Sequence, residues 1–305
     1  SLVKYALKQQ LARALGDQYS LEDEVDGGSS RIFLARDRSL YREVAVKVLG
    51  AALAQGVSPD EFTRELRKVA NLQSPNIVPV LMVASLDDGT PYYTMPAVRA
   101  TSLRARIKEG PLPISETIAI LRDVAGALDF AHARGVVHGN LRPERVLLNG
   151  DTAMVTDFGV VRALALARGA TTGPAPFTGR TPDRVADEAR ARTSGNRRTA
   201  PREAGTLESP AYIAPEQVVG QVPNASADLF AWGVMAYELL TGVHPFAANA
   251  DAGDDPLIPL RARLPLLSPV IEGLVMQCLA TDPTQRPAGA RSLLNVLRGP
   301  SGSTP

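Results

Sequence analysis

The segment His138-Gly139-Asn140-Leu141-Arg142-Pro143-Glu144-Arg145 sets one amide and two guanidinium groups close together, and Asp157-Phe158-Gly159 begins twelve residues after Arg145. The amide of Asn140 cannot accept a proton at neutral pH, although it can orient a hydroxyl. The guanidinium of Arg145 has N–H donors and no acceptor, so it cannot ligate a metal ion, yet it attracts phosphate oxygens. Far upstream, Lys47 ends the run Val44-Ala45-Val46-Lys47. A lone lysine on a strand is ordinarily a solvated surface charge. Any joint chemistry therefore needs a fold that gathers these residues.

The elements that must do so can be read from periodicity. Residues 2–15 carry Leu7, Leu11, Ala14 and Leu15 at helical spacing, and Gly16 ends the pattern. That helix either packs on the β-rich part that follows or stays a solvated lead-in; the sequence leaves both open. Residues 31–36 and 44–49 read as strands split by the polar turn Asp37-Arg38-Ser39. Ser58 and Pro59 open a predicted helix over 59–72, with Phe62, Leu66 and Val69 on one face. Two more strands are expected near 77–84 and 91–96, turned by Asp87-Asp88-Gly89-Thr90. A buried helix is expected over 115–134, from the stripe Ile118, Leu121, Ala125, Leu128 and Phe130. Asn149-Gly150 between apolar runs predicts a hairpin over 146–156. Helical pattern returns at 226–241 and through 268–298. Residues 160–204 hold nine Arg against four acidic residues and few large apolar ones, so they read as a disordered or partner-ordered loop.

Composition narrows the class. A chain of 305 residues with 45% apolar content can build two lobes around real cores. A net charge of +1 gives no strong field toward nucleic acid or membrane. The basic stretch at 160–204 lacks interleaved aromatics for base stacking, which argues against nucleic-acid binding. Cys278 is the single cysteine, so no intrachain disulfide can form, and its apolar surroundings predict a buried structural thiol. Three histidines and one cysteine offer no ligand cluster, so His132 and His138 are expected to serve structure. No uninterrupted apolar stretch reaches the ~18–20 residues that span a bilayer. The Ser1 start and the Gly/Pro/Ser-rich end are expected to be cuts in a longer protein.

From about residue 19 to 298 the chain resembles the bacterial, eukaryotic-like Ser/Thr protein kinases, because several motifs occur in the right order and spacing. Val44-Ala45-Val46-Lys47 matches the strand whose lysine pairs the nucleotide phosphates, and Glu65 matches the glutamate that holds that lysine. Residues 138–145 match the catalytic loop, Asp157-Phe158-Gly159 the metal motif, and Ala214-Pro215-Glu216 the motif that closes the activation segment. The resemblance implies an α+β bilobal kinase-like fold: a β-rich N-lobe at 18–98 and a helical C-lobe at 99–298. Residues 1–17 form a helix before it, about 160–204 an inserted loop, and 299–305 a linker tail. It implies ATP as ligand, with Ile32, Ala45 and Leu147 sandwiching the adenine, and Met95 and Ala97 in the hinge beside it. It implies one magnesium ion at most, on Asp157. Glu216 is expected to pair with Arg286, and Asp228 to hold the catalytic-loop backbone.

The departures fall on catalytic parts. The phosphate-covering loop aligns with Val25-Asp26-Gly27-Gly28-Ser29-Ser30, keeping one of three glycines at its motif positions; Gly27 and Gly28 remain candidate phosphate contacts. Asn140 stands where the resemblance implies the catalytic aspartate, a loss worth roughly 10²–10⁴-fold if general-base catalysis is removed. Arg145 stands where it implies a neutral metal ligand, and we expect Arg145, with Lys47 and Arg142, to neutralise phosphates in place of one magnesium ion. Gly139 replaces the arginine that receives a phosphorylated loop residue, so Thr171, Thr172, Thr178, Thr181, Thr193 and Thr199 are expected to be sites for another kinase or a docking surface.

Three readings compete. The first is a pseudokinase that binds ATP and signals by shape and protein contacts. The second is a weakly active Ser/Thr kinase, and the third a scaffold that binds no nucleotide. In each, the partners are proteins and no nucleic acid. The expected setting is cytoplasmic, with membrane contact only through segments outside this chain.

Overall fold

The computed structural model describes residues 2–25, 30–170, 210–246 and 257–298. A five-stranded antiparallel sheet forms first, from β1 (Tyr19–Val25), β2 (Arg31–Asp37), β3 (Arg42–Val48), β4 (Met82–Ser85) and β5 (Pro91–Pro96), in the order β1-β2-β3-β5-β4. Period-two alternation in β3 turns Val44, Val46 and Val48 to one face and leaves Ala45 and Lys47 on the other. The valine face packs with Phe33 and Tyr92 against α1 (Leu2–Leu15), whose Leu11 and Leu15 are buried there. The leading helix is thus part of the lobe, the first of the two readings left open by its sequence. Gly16 ends it at φ +60°, in the left-handed region.

After the short α2 (Ala51–Ala54), α3 (Pro59–Ala70) is the main helix of this lobe; Ser58 caps it, and Phe62, Leu66 and Val69 are buried. The strand expected over 77–84 is shorter, 82–85. Residues 77–81 instead run as irregular chain, with Ile77 bridging to Val155.

The second lobe is mostly helical: α4 (Leu103–Lys108), α5 (Ile114–His132), α6 (Val160–Ala167), α7 (Pro215–Val218), α8 (Ala225–Thr241), α9 (Leu260–Arg263), α10 (Pro269–Cys278) and α11 (Ala290–Leu297). A three-stranded sheet of β6 (Thr101–Ser102), β7 (Val146–Asn149) and β8 (Thr152–Val155) carries the expected Asn-Gly hairpin. α8 is buried on nearly all sides, and Trp232 donates its indole N–H to the Leu121 carbonyl at 3.1 Å. Cys278 is buried, as its setting predicted. No helix among the described residues is long and apolar enough to cross a membrane.

Residues 160–167 correct the reading of 160–204 as one structureless loop. They form α6, with Val160, Ala163, Leu164 and Ala167 buried. Averaged over the whole arginine-rich stretch, this local apolar stripe was diluted. Residues 171–204, including the six threonines named above, lie outside the described residues.

Candidate active site

Two scaffold contacts hold the central loop. Asp228, at the start of α8, accepts from the backbone N–H of His138 and of Gly139, each at 2.7 Å, and its Oδ2 lies 2.8 Å from His132 Nε2. Burial disfavours the Asp228 carboxylate, but His132, His138 and the loop amides outweigh it and hold its pKa below the usual range. Glu216 and Arg286 form a buried two-bond ion pair at 2.6 and 2.9 Å, as expected.

Gly139 needs to be glycine on this backbone. Its φ is +76°, and an added Cβ would meet the Pro223 Cβ at 2.9 Å. His138 is fully buried and uses both ring nitrogens. Nε2 lies 3.0 Å from the Thr156 carbonyl, and Nδ1 accepts from the Asn140 N–H at 3.2 Å. Burial pushes its pKa down, so the ring is neutral and Nε2 carries the proton.

The turn Pro143–Arg145 then aims Arg145 inward, and the Thr156 N–H donates to the Arg145 carbonyl at 2.9 Å. The Arg145 guanidinium contacts Asp157 Oδ2. Lys47 Nζ reaches the same oxygen at 2.7 Å from the opposite lobe. Tyr93 donates its hydroxyl to Asp157 Oδ1 at 2.6 Å. Asp157 sits at φ +64°, a conformation that aspartate tolerates better than most residues. Burial alone would raise its pKa; Lys47 and Arg145 override it and hold the carboxyl far below its ordinary value. Tyr93 is pushed well above its ordinary value by burial and by Asp157, so its hydroxyl remains a donor.

The expected Lys47–Glu65 pair is not made. Glu65 sits on α3 with Lys68 at 2.7 Å and Arg64 at 3.9 Å. The physical reason lies in α6 and Tyr93. α6 packs along α3, and a Cβ at Gly159 would meet Val69 Cγ2 at 2.7 Å. The Ser58 N–H donates to the Ala167 carbonyl at 3.0 Å, and Arg168 donates to the Leu53 carbonyl at 2.5 Å. Tyr93, cross-strand from Lys47, fills the space beside Asp157. Sequence reasoning missed Tyr93. The available signal was its position two residues before Met95, which puts both on one face of β5.

Ile32, Ala45, Met95, Ala97 and Leu147 line a cleft of about 510 Å³ between the lobes, with Lys47, Arg145 and Asp157 at one end. An apolar-walled slot with cations at one end suits a flat ligand with an anionic tail. Arg142 is buried and contacts Glu144 at 3.0 Å. Gly27 and Gly28 lie outside the described residues. Asn140 lines a much smaller cavity, of about 20 Å³, shared with Lys47, Arg145, Asp157 and the α6 residues Val160 and Leu164.

Comparisons with known proteins agree with this layout. The family described as protein kinase domain matches residues 25–296. The Ser/Thr-protein kinase PknB of Mycobacterium leprae is 31% identical over 306 aligned positions, covering 95% of this chain and 44% of the relative. Pkn3 of Myxococcus xanthus is 28% identical, covering 95% and 51%. The chain thus spans about half, or less, of the length of these relatives. A crystal structure of the Mycobacterium tuberculosis PknI kinase domain superposes with a TM-score of 0.67 at 24% identity, covering 92% of this chain and 95% of that one, and shows the shared fold. The β-rich lobe, the helical lobe and the motif series between them make this chain a member of the protein kinase domain family.

Proposed function

We propose that the chain is a nucleotide-responsive signalling module of the kinase fold in which phosphoryl transfer is impaired. The observation that carries the reading is the Asp157 carboxylate, held by Lys47, Arg145 and Tyr93 together. In an active site of this family that carboxylate serves a metal ion that bridges phosphates. Here it is engaged with the protein's own cations. Asn140, at the base position, can orient a hydroxyl but cannot take its proton. Glu65, a largely buried side chain engaged by Lys68, does not support Lys47.

The adenine ring of ATP fits the apolar walls Ile32, Ala45 and Leu147, with the backbone of Met95 and Ala97 beside its edge. Lys47 and Arg145 then meet the phosphates. Occupancy bears on both lobes, since Lys47 comes from β3 and Arg145 from the second lobe, and a ligand that binds one lobe arrangement better shifts the population toward it. Signalling by contact with protein partners follows from that shift. We place the module on the cytoplasmic side, as part of a longer protein.

A fluorescent ATP analogue should bind saturably and be displaced by unlabelled ATP. Ala45→Trp, which fills the slot, should abolish the signal. Saturable binding unaffected by Ala45→Trp would move the ligand elsewhere, and no binding would leave a scaffold. A weakly active Ser/Thr kinase is the second reading, favoured by the names of the PknB relatives. It requires Asn140 to position the hydroxyl while electrostatics supply the rest.

A further inference from the structure

The kinase family implies magnesium at Asp157, and the residues present do not fit it. Magnesium demands near-octahedral oxygen ligands at roughly 2.0–2.1 Å. Asp157 Oδ2 already meets two cations, and Oδ1 accepts from Tyr93 at 2.6 Å. The second ligand position carries the Arg145 guanidinium, which has no acceptor. Asp157 also borders the cleft of about 510 Å³, so charge and ligand chemistry, not lack of room, disfavour the ion.

We infer that Arg145 is a built-in counter-cation and that the cleft takes adenine nucleotide free of divalent metal. The inference rests on the nucleotide reading above and adds the ionic form of the ligand. Arg145 borders both the large cleft and the small cavity, so one guanidinium can touch Asp157 and face the nucleotide end of the cleft. A planar fork of N–H donors suits that double contact, with one edge on a carboxylate and others on phosphate oxygens. Lys47 lies on the same border and adds the second positive charge. Together with the Asp157 carboxylate the trio carries a net +1, which attracts phosphate without any added ion.

The test is titration of the full 305-residue chain with the fluorescent ATP analogue, in EDTA and in excess magnesium chloride. Wild type should bind in both media with affinities agreeing within about threefold, about half a decade. Arg145→Asn should lose about tenfold or more in EDTA and regain affinity when magnesium is added. Arg145→Gln, which keeps a long side chain and loses the charge, should show the same loss in EDTA. Melting curves without nucleotide identify a variant that fails to fold, and the other variant then carries the comparison. Wild-type binding only with magnesium would overturn the inference and leave the nucleotide reading standing. Unchanged affinity of a folded Arg145 variant in EDTA would also overturn it. No binding in either medium would overturn both.

Discussion

Lys47 Nζ lies 2.7 Å from Asp157 Oδ2, and Arg145 reaches the same oxygen, so two cations from opposite lobes share one buried carboxylate oxygen. Each is a substitute for the other in compensating the Asp157 charge. Removing one partner of an isolated buried pair typically costs roughly 3–5 kcal/mol, because the other charge is left uncompensated. Here a single loss leaves a cation in place. Lys47→Met and Arg145→Met should each cost only about 1–2 kcal/mol in urea unfolding, and the double variant should exceed their sum by at least about 1 kcal/mol. Strict additivity would show that the two cations do not share the burden.

Tyr93 is the neutral third partner. Tyr93→Phe removes one hydrogen bond to a charged acceptor and little volume, so a loss of about 1.5–3 kcal/mol is expected with the fold retained. A change below about 0.5 kcal/mol would mean that the 2.6 Å contact carries no net stabilisation.

The packing of α6 on α3 should be visible in exchange. Leu164 is 4% exposed within the main core. Leu164→Ala should cost about 2–5 kcal/mol in the segment it supports. Amide hydrogen exchange should then rise in α3 more than in α8, which α6 does not brace. A uniform rise across both helices would contradict a local role for α6.

Acid should weaken the protein in two stages. His138 and His244 both have folded pKa values below the ordinary 6.5, chiefly because burial disfavours the charged ring. The unfolded chain therefore binds more protons as pH drops through 6.5, and stability falls in that direction. For His138 the structural reason is explicit: a proton on Nδ1 would face the Asn140 N–H, two donors together. Asp157 and Asp228, both held below their ordinary 3.8, add a second loss that begins as pH falls through about 4. Urea midpoints measured from pH 8 to 4 should be level above about 7 and decline below 6.5. A rise in stability between pH 7 and 5 would contradict the neutral burial of these rings.

Much of this was legible in the chain. The β-rich run 44–49, the Ser58-Pro59 helix start and the Asn149-Gly150 turn each found their element, because local chemistry and tertiary packing agree there. The pairs Glu216–Arg286 and Asp228 with the central loop were also expected, and both contacts form. What was not legible depends on how the lobes and the segment after Gly159 pack. A motif places Glu65 on the right helix but cannot say that α6 lies along that helix or that Tyr93 stands beside Asp157. The short stripe 160–167 vanished in the composition of an arginine-rich stretch. That a guanidinium has no acceptor for a metal is plain from residue type, while the seat of Arg145 on Asp157 needed the fold.

Phosphoryl transfer by this kinase fold should fall below detection, and label transfer from γ-labelled ATP measures it. The full chain should be assayed for autophosphorylation and for labelling of a generic protein substrate, with magnesium and with manganese, beside Lys47→Met as the blank. Label should be no higher than the blank in every condition. Time-dependent label clearly above the blank would contradict impaired transfer, and would make Asn140 and Arg145 parts of a working catalytic loop.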